Sequence, residues 1–224
     1  MKLLNLFSGT GSVSKPFREA GHTVWDVDVD PRFSPETCQD ILQWDYTKLQ
    51  FIPDVIWASP PCDQYARCRT TGPPRNFALA DSLVKKAIEI IEYFQKLDPD
   101  LIWFLENGHT TLLWGRECAK DLTNYIVLDY CQYGNEILYR KRTRIAHSDN
   151  ICWIPRPLCN PKTCHACPNG RRHLKSAQQG PDKTCITPEQ KKFDSCTKDQ
   201  LHALPRLLCE EILQVCLTHM WEVI

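Results

Sequence analysis

The hydrophobic positions of this chain fall into short unbroken runs that alternate with stretches of helical spacing. The short runs predict buried strands at residues 2–7, 23–27, 55–58, 101–105, 123–130 and 143–147. Helical spacing is seen over residues 13–20, 77–97 and 203–220. Because strands and helices alternate in the first two thirds of the chain, the pattern predicts the α/β class, with a doubly wound and mostly parallel sheet.

The composition and periodicity of the sequence change after residue 149. Residues 150–200 are rich in Cys, Pro and basic residues and show no clear periodicity. We therefore expect three parts: an α/β domain at 1–149, a small Cys-rich subdomain at 150–200, and a C-terminal helix within 201–224 that packs back on the first domain.

Composition excludes several classes of protein. No apolar run approaches the ~20 residues that a membrane span needs, so we expect no membrane association. The N-terminus becomes glycine-rich too soon for a signal peptide. We therefore interpret the 13 cysteines as reduced thiols of an intracellular protein.

The formal net charge of zero hides an asymmetry. Residues 139–192 contain twelve Lys and Arg against three acidic residues, a net charge of +9, so the rest of the chain carries −9. A basic segment on an acidic body is typical of a surface that binds a polyanion. The alternative is a solvated basic loop.

The first predicted strand runs into a glycine-rich turn, F-S-G-T-G-S, before the first predicted helix. Such a turn lets a ligand approach the backbone at a helix N-terminus. Asp28 follows about twenty residues later, at the end of the second strand, where a carboxylate would accept hydrogen bonds from a ribose. The alternative for Asp28 is an exposed loop aspartate. Asp40 and Ile41 are candidates for contacting the amino group of an adenine.

Three other strand ends carry reactive or charged groups. The strand Val55–Ala58 ends in S-P-P-C, and two prolines present Cys62 rigidly, as suits a nucleophile, although a buried structural cysteine is the alternative. The next strand ends on Glu106. Arg140, Arg142 and Arg144 alternate into the last strand and would share one face, or else form a charged edge. A thiol, a carboxyl and guanidinium groups together suit attack on an electron-poor ring.

In this order, the motifs F-S-G-T-G, P-P-C, E-N and R-x-R resemble those of the cytosine-C5 DNA methyltransferases. The resemblance covers residues 1–147, and the small size and Cys-rich tail are similar to the compact members in iridoviruses and tailed phages. It implies a Rossmann-like methyltransferase fold and S-adenosylmethionine as methyl donor. The cofactor contacts that it implies are Phe7, Gly9 and Gly11 around the cofactor, Asp28 at its ribose, Asp40 and Ile41 at its adenine, and Pro60 beside it.

The resemblance also implies a mechanism. Cys62 attacks C6 of a cytosine flipped out of duplex DNA, and Glu106 binds and protonates the N3 side of the ring. Arg144 holds the base carbonyl and orients Glu106, while Arg142 supports the thiol. The implied protein is a monomer acting in the cytoplasm or nucleus of an infected host cell.

The chain departs from the family pattern at several positions. Gly108 stands in place of the usual valine, Arg140 in place of the usual glutamine, and Tyr65-Ala66 where many relatives have an aromatic residue and a serine. The usual C-terminal asparagine-serine signature, which completes the cofactor site, is missing, and Gln178-Gln179-Gly180 is a candidate substitute.

The Cys-rich tail suggests two further sites. Cys159, Cys164, Cys167 and His173 have the residue types and roughly the spacing of a structural zinc site, with Cys152, His165 and Cys185 as spare candidates. The alternative is a compact loop domain with reduced thiols. The nucleic-acid contacts that we expect are Arg67 and Arg69 in a long loop after Cys62, which would serve as a lid, and Arg171 and Arg172 in the tail, with Arg156 and His173 as further candidates.

Three other functions stay open. The same fold and motifs serve an RNA methyltransferase, since one relative of this family modifies transfer RNA. A catalytically degenerate DNA-binding protein would explain the missing signature. A redox or metal-sensor function would account for the Cys-rich tail but not for the predicted sheet.

Overall fold

The computed structural model describes residues 1–70, 72–177 and 196–222. Its centre is a seven-stranded sheet with the order β3-β2-β1-β4-β5-β7-β6. The strands are β1 (Lys2–Leu6), β2 (Thr23–Asp28), β3 (Thr37–Cys38), β4 (Val55–Ala58), β5 (Ile102–Gly108), β6 (Tyr125–Asp129) and β7 (Arg142–His147). Strands β1 to β5 pair in parallel, whereas β7 is antiparallel to both β5 and β6. The predicted α/β class with a mostly parallel sheet is confirmed.

Four α-helices are described: α1 (Ser14–Glu19), α2 (Phe77–Leu97), α3 (Lys198–His202) and α4 (Arg206–Glu222). Helix α2 has the bounds that its apolar spacing predicts, and the Asn76 side chain caps it by accepting from the Leu79 amide. None of the helices in the described part of the chain is both long and apolar enough to cross a bilayer.

Both faces of the sheet are covered because side chains alternate along each strand. One face carries Leu3, Trp57 and Phe104, which pack with residues of α1 and α4 in one apolar cluster. The other face carries Leu4, Ile56 and Leu105, which pack with α2 in a second cluster. The strands are therefore apolar on both sides, which is why they appear in the sequence as unbroken runs.

The last predicted helix differs from the observed one. We expected a helix over roughly residues 203–220; the observed helix α4 begins after Pro205, and a separate short helix that was not predicted, α3, precedes that proline. Proline has no N–H to donate and disfavours helical geometry in the residue before it. A capping box between Thr197 and Gln200 begins the separate helix α3.

The Cys-rich segment, residues 154–177, contains no helix or strand. It lies against the sheet domain through backbone contacts: the Lys175 amide donates to the Leu138 carbonyl (2.8 Å), and His165 Nε2 lies 3.2 Å from the Ile137 carbonyl oxygen. The division into parts at 149 and 200 stays a prediction.

Replacing Ile212 by alanine tests the packing of α4. Ile212 is fully buried against the sheet, so Ile212→Ala should lower the free energy of unfolding by roughly 2–5 kcal/mol. Leu207, on the same helix but 39% exposed, is the matched control, and its alanine variant should lose less than about 1 kcal/mol. Urea denaturation monitors both variants; equal losses would show that α4 is not docked as described.

Candidate active site

The glycine-rich turn lies at the carboxyl ends of β1 and β2. The Ser8 amide donates to the Val27 carbonyl (3.1 Å), which joins the turn to the end of β2. Phe7, Gly9 and Gly11 all have positive φ, at 58°, 49° and 67°. Glycine adopts this region freely, but Phe7 is a non-glycine residue held there at a cost. Such backbone geometry at a strand end is typical of a ligand site.

Asp28 supports this turn. One carboxylate oxygen accepts from the Gly9 amide and the other from the Asp30 amide, both at 2.8 Å. The carboxylate is therefore fixed in position at the end of β2, as a ribose contact would require, and it is not a free loop side chain.

A single cavity of about 380 Å³ extends from this turn to Cys62. The predicted cofactor residues that line it are Phe7, Gly9, Asp28, Asp40, Ile41 and Pro60. Gly11 does not line it; the Gly11 amide instead donates to the Ser8 carbonyl behind the turn. Glu106 lines the same cavity, so the sheet brings the proposed cofactor and catalytic groups into one space.

Sequence reasoning missed part of the cavity wall. Val29, an apolar residue that is 68% exposed, lines it next to Asp28. Residues of α3 and the linker after it, Lys198, Asp199, His202 and Leu204, close it from the C-terminal part of the chain. The Leu204 amide donates to Ser12 Oγ (3.2 Å), which ties this segment to the glycine turn.

The missing signature was expected to complete the cofactor site, and this C-terminal segment contributes residues to the wall of the cavity there. Burial, together with the ammonium groups of Lys141 and Lys198, lowers the pKa of His202, so a neutral imidazole faces the cavity near neutral pH. Two features of the sequence could have indicated this segment: the capping box at Thr197, which begins α3, and Pro205, which ends the linker after it. The alternative at Gln178-Gln179-Gly180 lies outside the described residues.

Cys62 follows the two prolines at the end of β4. Its carbonyl accepts from the Tyr65 and Ala66 amides (3.0 and 2.9 Å), which turns the chain back directly after the thiol. Burial raises the pKa of the Cys62 thiol, and the nearby Lys141 ammonium acts in the opposite direction. Near neutral pH the resting group is therefore mainly the thiol.

Glu106 is a buried carboxyl on β5 with two polar neighbours. Its Oε1 lies 3.4 Å from the Tyr130 hydroxyl and 3.7 Å from Lys141 Nζ. Lys141 Nζ also donates to the Leu201 carbonyl (3.0 Å), which connects α3 to Glu106 and its neighbours. The adjacent Asn107 donates from Nδ2 to the Pro60 carbonyl (3.1 Å) and so holds the two-proline turn against β5.

The structure does not bring Arg144 to Glu106. In the antiparallel ladder Glu106 is opposite Ile145, whereas Arg144 is opposite Asn107. Directly opposed residues share a face, and neighbours along a strand alternate, so Arg144 lies on the other side of the sheet. There its guanidinium stacks over the rings of Trp114 and Tyr125, 4.6 and 3.8 Å from their centroids.

Arg142 is also directed away from the thiol. It forms a two-point ion pair with the buried carboxylate of Asp129, Nε–Oδ1 3.0 Å and Nη2–Oδ2 2.7 Å. The expectation that Arg144 orients Glu106 and that Arg142 supports Cys62 is thus corrected on geometry. Within the described residues, the cation beside both groups is Lys141.

The loop after Cys62 is held by its own arginines. Arg75 donates to the carbonyls of Gln64, Ala66 and Arg69, and Arg69 donates to the Pro73 carbonyl. Arg67 is exposed and donates to the Thr110 carbonyl (2.9 Å). Both predicted DNA contacts in this loop therefore also contribute to its shape.

The Cys-rich segment brings together three of the four predicted metal ligands. Cys159, Cys164 and His173 meet, but the fourth ligand atom of the cluster comes from Cys131 and not from Cys167. Cys131 lies in the turn after β6, 28 residues before Cys159 and outside the Cys-rich segment, so local spacing does not identify it. Of the spare candidates, Cys152 is exposed and His165 contacts a backbone carbonyl, while Cys185 lies outside the described residues.

The basic residues of this segment differ in their surroundings. Arg171 and Arg172 are exposed. Arg156 instead forms an ion pair with Glu211 (3.4 Å) and stacks over the Tyr133 ring, so it anchors the segment to the body.

The sheet order, the glycine turn and the cavity at the strand ends define a doubly wound α/β fold with a ligand site at the carboxyl ends of its strands. A comparison with models of protein families finds none that matches. A curated relative from Frog virus 3 (isolate Goorha), named "Probable DNA (cytosine-5)-methyltransferase", is 34% identical over 197 residues, which cover 80% of this chain and 83% of the relative. The chain belongs to the cytosine-5 DNA methyltransferase family.

Solved structures of more distant proteins were also compared. The S. pombe Dnmt2 methyltransferase is 14% identical with a TM-score of 0.41, covering 72% of this chain and 58% of that one. A mutant of Spodoptera frugiperda DNMT2 is 18% identical with a TM-score of 0.41, covering 69% and 52%. The chain spans little more than half the length of each.

Lys141 can be tested through the reactivity of Cys62. Lys141→Met removes the interaction that lowers the thiol pKa, so alkylation of Cys62 by iodoacetamide should shift to higher pH. Arg144→Met should leave the profile unchanged, because that guanidinium is on the opposite face. Peptide mapping by mass spectrometry resolves Cys62 from the other thiols; an equal shift in both variants would contradict the assignment.

Arg142 can be tested through stability. Arg142→Ala leaves the buried Asp129 carboxylate without its cation and should cost roughly 2–3 kcal/mol, below the full value for a buried pair because Arg142 is partly exposed. Adding Asp129→Asn should recover part of this loss. Urea denaturation gives both values. An unchanged stability with a lost methyl transfer would instead support a direct role at the thiol.

Proposed function

We propose that this protein transfers a methyl group from S-adenosylmethionine to C5 of cytosine in duplex DNA. The observation that carries the proposal is the single cavity with the glycine turn and Asp28 at one end and Cys62 with Glu106 at the other. A cofactor and a reacting base need such a shared space, and family membership provides the chemical context.

The residues at the glycine-turn end fit a nucleoside cofactor. Backbone at positive φ permits close approach, the fixed carboxylate of Asp28 suits ribose hydroxyls, and exposed Val29 offers an apolar surface for a base. We propose that Phe7, Gly9, Pro60 and the Asp40-Ile41 edge complete this end, with Gly11 shaping the turn. S-adenosylmethionine, when bound, would supply an electrophilic methyl group on a sulfonium sulfur.

The residues at the other end fit covalent activation of a pyrimidine. Cys62, as thiolate, would add to C6 of the cytosine, which places electron density on C5. Glu106 would donate a proton toward N3 and so reduce the cost of that addition. Lys141 would favour the thiolate, as we had expected of Arg142, and would orient the Glu106 carboxyl, as we had expected of Arg144. Loss of the C5 proton and departure of the thiolate would complete the reaction.

DNA is the substrate that we propose, because the viral relative's name specifies DNA and because a basic segment adjoins the catalytic part. The target cytosine must leave the stack to reach Cys62, at a cost of a few kcal/mol. We propose that Arg67 and Arg69 contact the strand near the flipped base, and that Arg171 and Arg172 contact the flanking duplex. We also propose that the protein acts as a monomer inside an infected cell.

A second candidate is a DNA-binding protein without methyl transfer. One observation favours it: both arginines of the R-x-R motif are directed away from Glu106. Lys141 is then the cation that lies beside this carboxyl within the described residues. Such a protein would retain the basic surface and the cavity but would show no turnover.

The decisive experiment measures transfer of radiolabelled methyl groups to unmethylated duplex DNA. Wild-type protein should label the DNA, and Cys62→Ser should abolish labelling, because a hydroxyl is a far weaker nucleophile than a thiolate. Cys68→Ser is the matched control, because that exposed cysteine is not among the residues that line the cavity. Transfer RNA added as a competing acceptor separates the DNA and RNA substrates.

The outcomes separate the candidates. Labelling of RNA alone would replace DNA with RNA as substrate. Cofactor binding and DNA binding without labelling of either acceptor would favour the non-catalytic binder. Labelling that survives Cys62→Ser would exclude the covalent mechanism while leaving the enzyme class intact.

A further inference from the structure

A compact group of metal-ligand atoms lies outside the proposed active site. The sulfur atoms of Cys131, Cys159 and Cys164 and a ring nitrogen of His173 all lie within 4.8 Å of one another. Three of these residues are buried and His173 is partly buried. His173 Nε2 is 3.4 Å from Cys159 Sγ and 3.6 Å from Cys164 Sγ.

The two sulfur-nitrogen distances are close to an edge of a tetrahedral zinc site. With Zn–S near 2.3 Å and Zn–N near 2.05 Å, a tetrahedral angle gives about 3.6 Å between sulfur and nitrogen ligands and about 3.8 Å between two sulfurs. The sulfur-nitrogen distances of 3.4 and 3.6 Å lie within about 0.2 Å of the first value. Three thiols and one imidazole are also a ligand set that structural zinc commonly adopts.

The Cys-rich segment (residues 154–177) has little else to hold it together. Its buried residues are Cys159, Cys164, Ala166 and Cys167, whereas its large apolar side chains, Ile154, Leu158 and Leu174, are 86%, 46% and 42% exposed. It also has no helix or strand. A segment that buries thiols and exposes its large aliphatic side chains lacks the apolar core that would fold it, and a metal is one of the usual substitutes.

Groups around the cluster contact the cysteine ligands and hold them in place. The Gln132 side-chain amide is 3.8 Å from Cys131 Sγ and 4.0 Å from Cys164 Sγ, within the range of a weak N–H···S contact. The Cys159 amide donates to Asp129 Oδ2 (2.9 Å), which fixes that ligand to the end of β6. Outer contacts of this kind orient metal ligands and stabilise thiolates.

We propose that Cys131, Cys159, Cys164 and His173 bind one structural zinc ion that fastens the Cys-rich segment to the sheet domain. Cys131 comes from the turn after β6 and the other three ligands come from the segment, so the metal crosslinks the two. The same turn carries Tyr130, whose hydroxyl contacts Glu106. The zinc ion would thereby hold the basic segment beside the wall of the catalytic cavity.

Metal analysis of protein purified without added chelator tests the site. Wild-type protein should contain one zinc ion per chain by inductively coupled plasma mass spectrometry, and Cys131→Ser should lose it. Cys167→Ser is the matched control: Cys167 is equally buried in the same cluster but is not one of the four ligands, so this variant should retain the full zinc content.

Cobalt(II) substitution of wild-type protein gives a readout that does not depend on a variant folding. Tetrahedral cobalt with three thiolates should give intense visible ligand-field bands and strong near-ultraviolet sulfur-to-metal absorption. Octahedral, weakly absorbing cobalt would contradict the site.

Two other outcomes would overturn the proposal. Zinc lost in Cys167→Ser but retained in Cys131→Ser would restore the ligand set that spacing alone predicts. Wild-type protein without zinc, with either free thiols or a mass two daltons lower from a disulfide, would exclude a metal site. None of these results depends on methyl transfer, so the zinc proposal and the proposed function succeed or fail separately.

Discussion

The pairing register of β7 against β5 is the constraint on which the catalytic side of this protein depends. The antiparallel ladder sets Ile145 opposite Glu106 and Arg144 opposite Asn107. Because side chains alternate strictly along a strand, a shift of one residue would exchange the groups that face the cavity for those that face α2. The observed register leaves Lys141 beside Glu106 and gives Arg142 and Arg144 contacts elsewhere.

That arrangement has an electrostatic consequence. Burial disfavours the thiolate of Cys62, and Lys141 opposes this effect. The same ammonium contacts Tyr130 and the Leu201 carbonyl, so its position depends on both the β6 turn and the C-terminal part of the chain. The reactive state of the thiol is therefore linked to docking of a segment about 140 residues away in sequence.

The two ends of the chain meet at the same cavity. The glycine turn and Asp28 come from the first strands, and α3 closes the opposite wall, tied to the turn by the bond between the Leu204 amide in the linker after α3 and Ser12. A ligand that contacts both would stabilise the whole fold, because it binds only when both are in place. The Cys-rich segment lies against the turn after β6, where Tyr130 contacts Glu106 of the cavity wall and Cys131 belongs to the cysteine cluster.

The sequence by itself determined the features that depend on local order. Unbroken apolar runs identify buried strands. The glycine turn, the end of the second strand and the two-proline turn then identify where Gly9, Asp28 and Cys62 lie, because parallel strands bring their carboxyl ends to one edge of the sheet. Tertiary structure alone decided the rest. Lys141, and not Arg144, lies beside Glu106, because strand register fixes which alternate side chains face the site. Cys131 joined the cysteine cluster, and α3 the cavity, because both contacts join segments that are distant in sequence and that no local spacing connects.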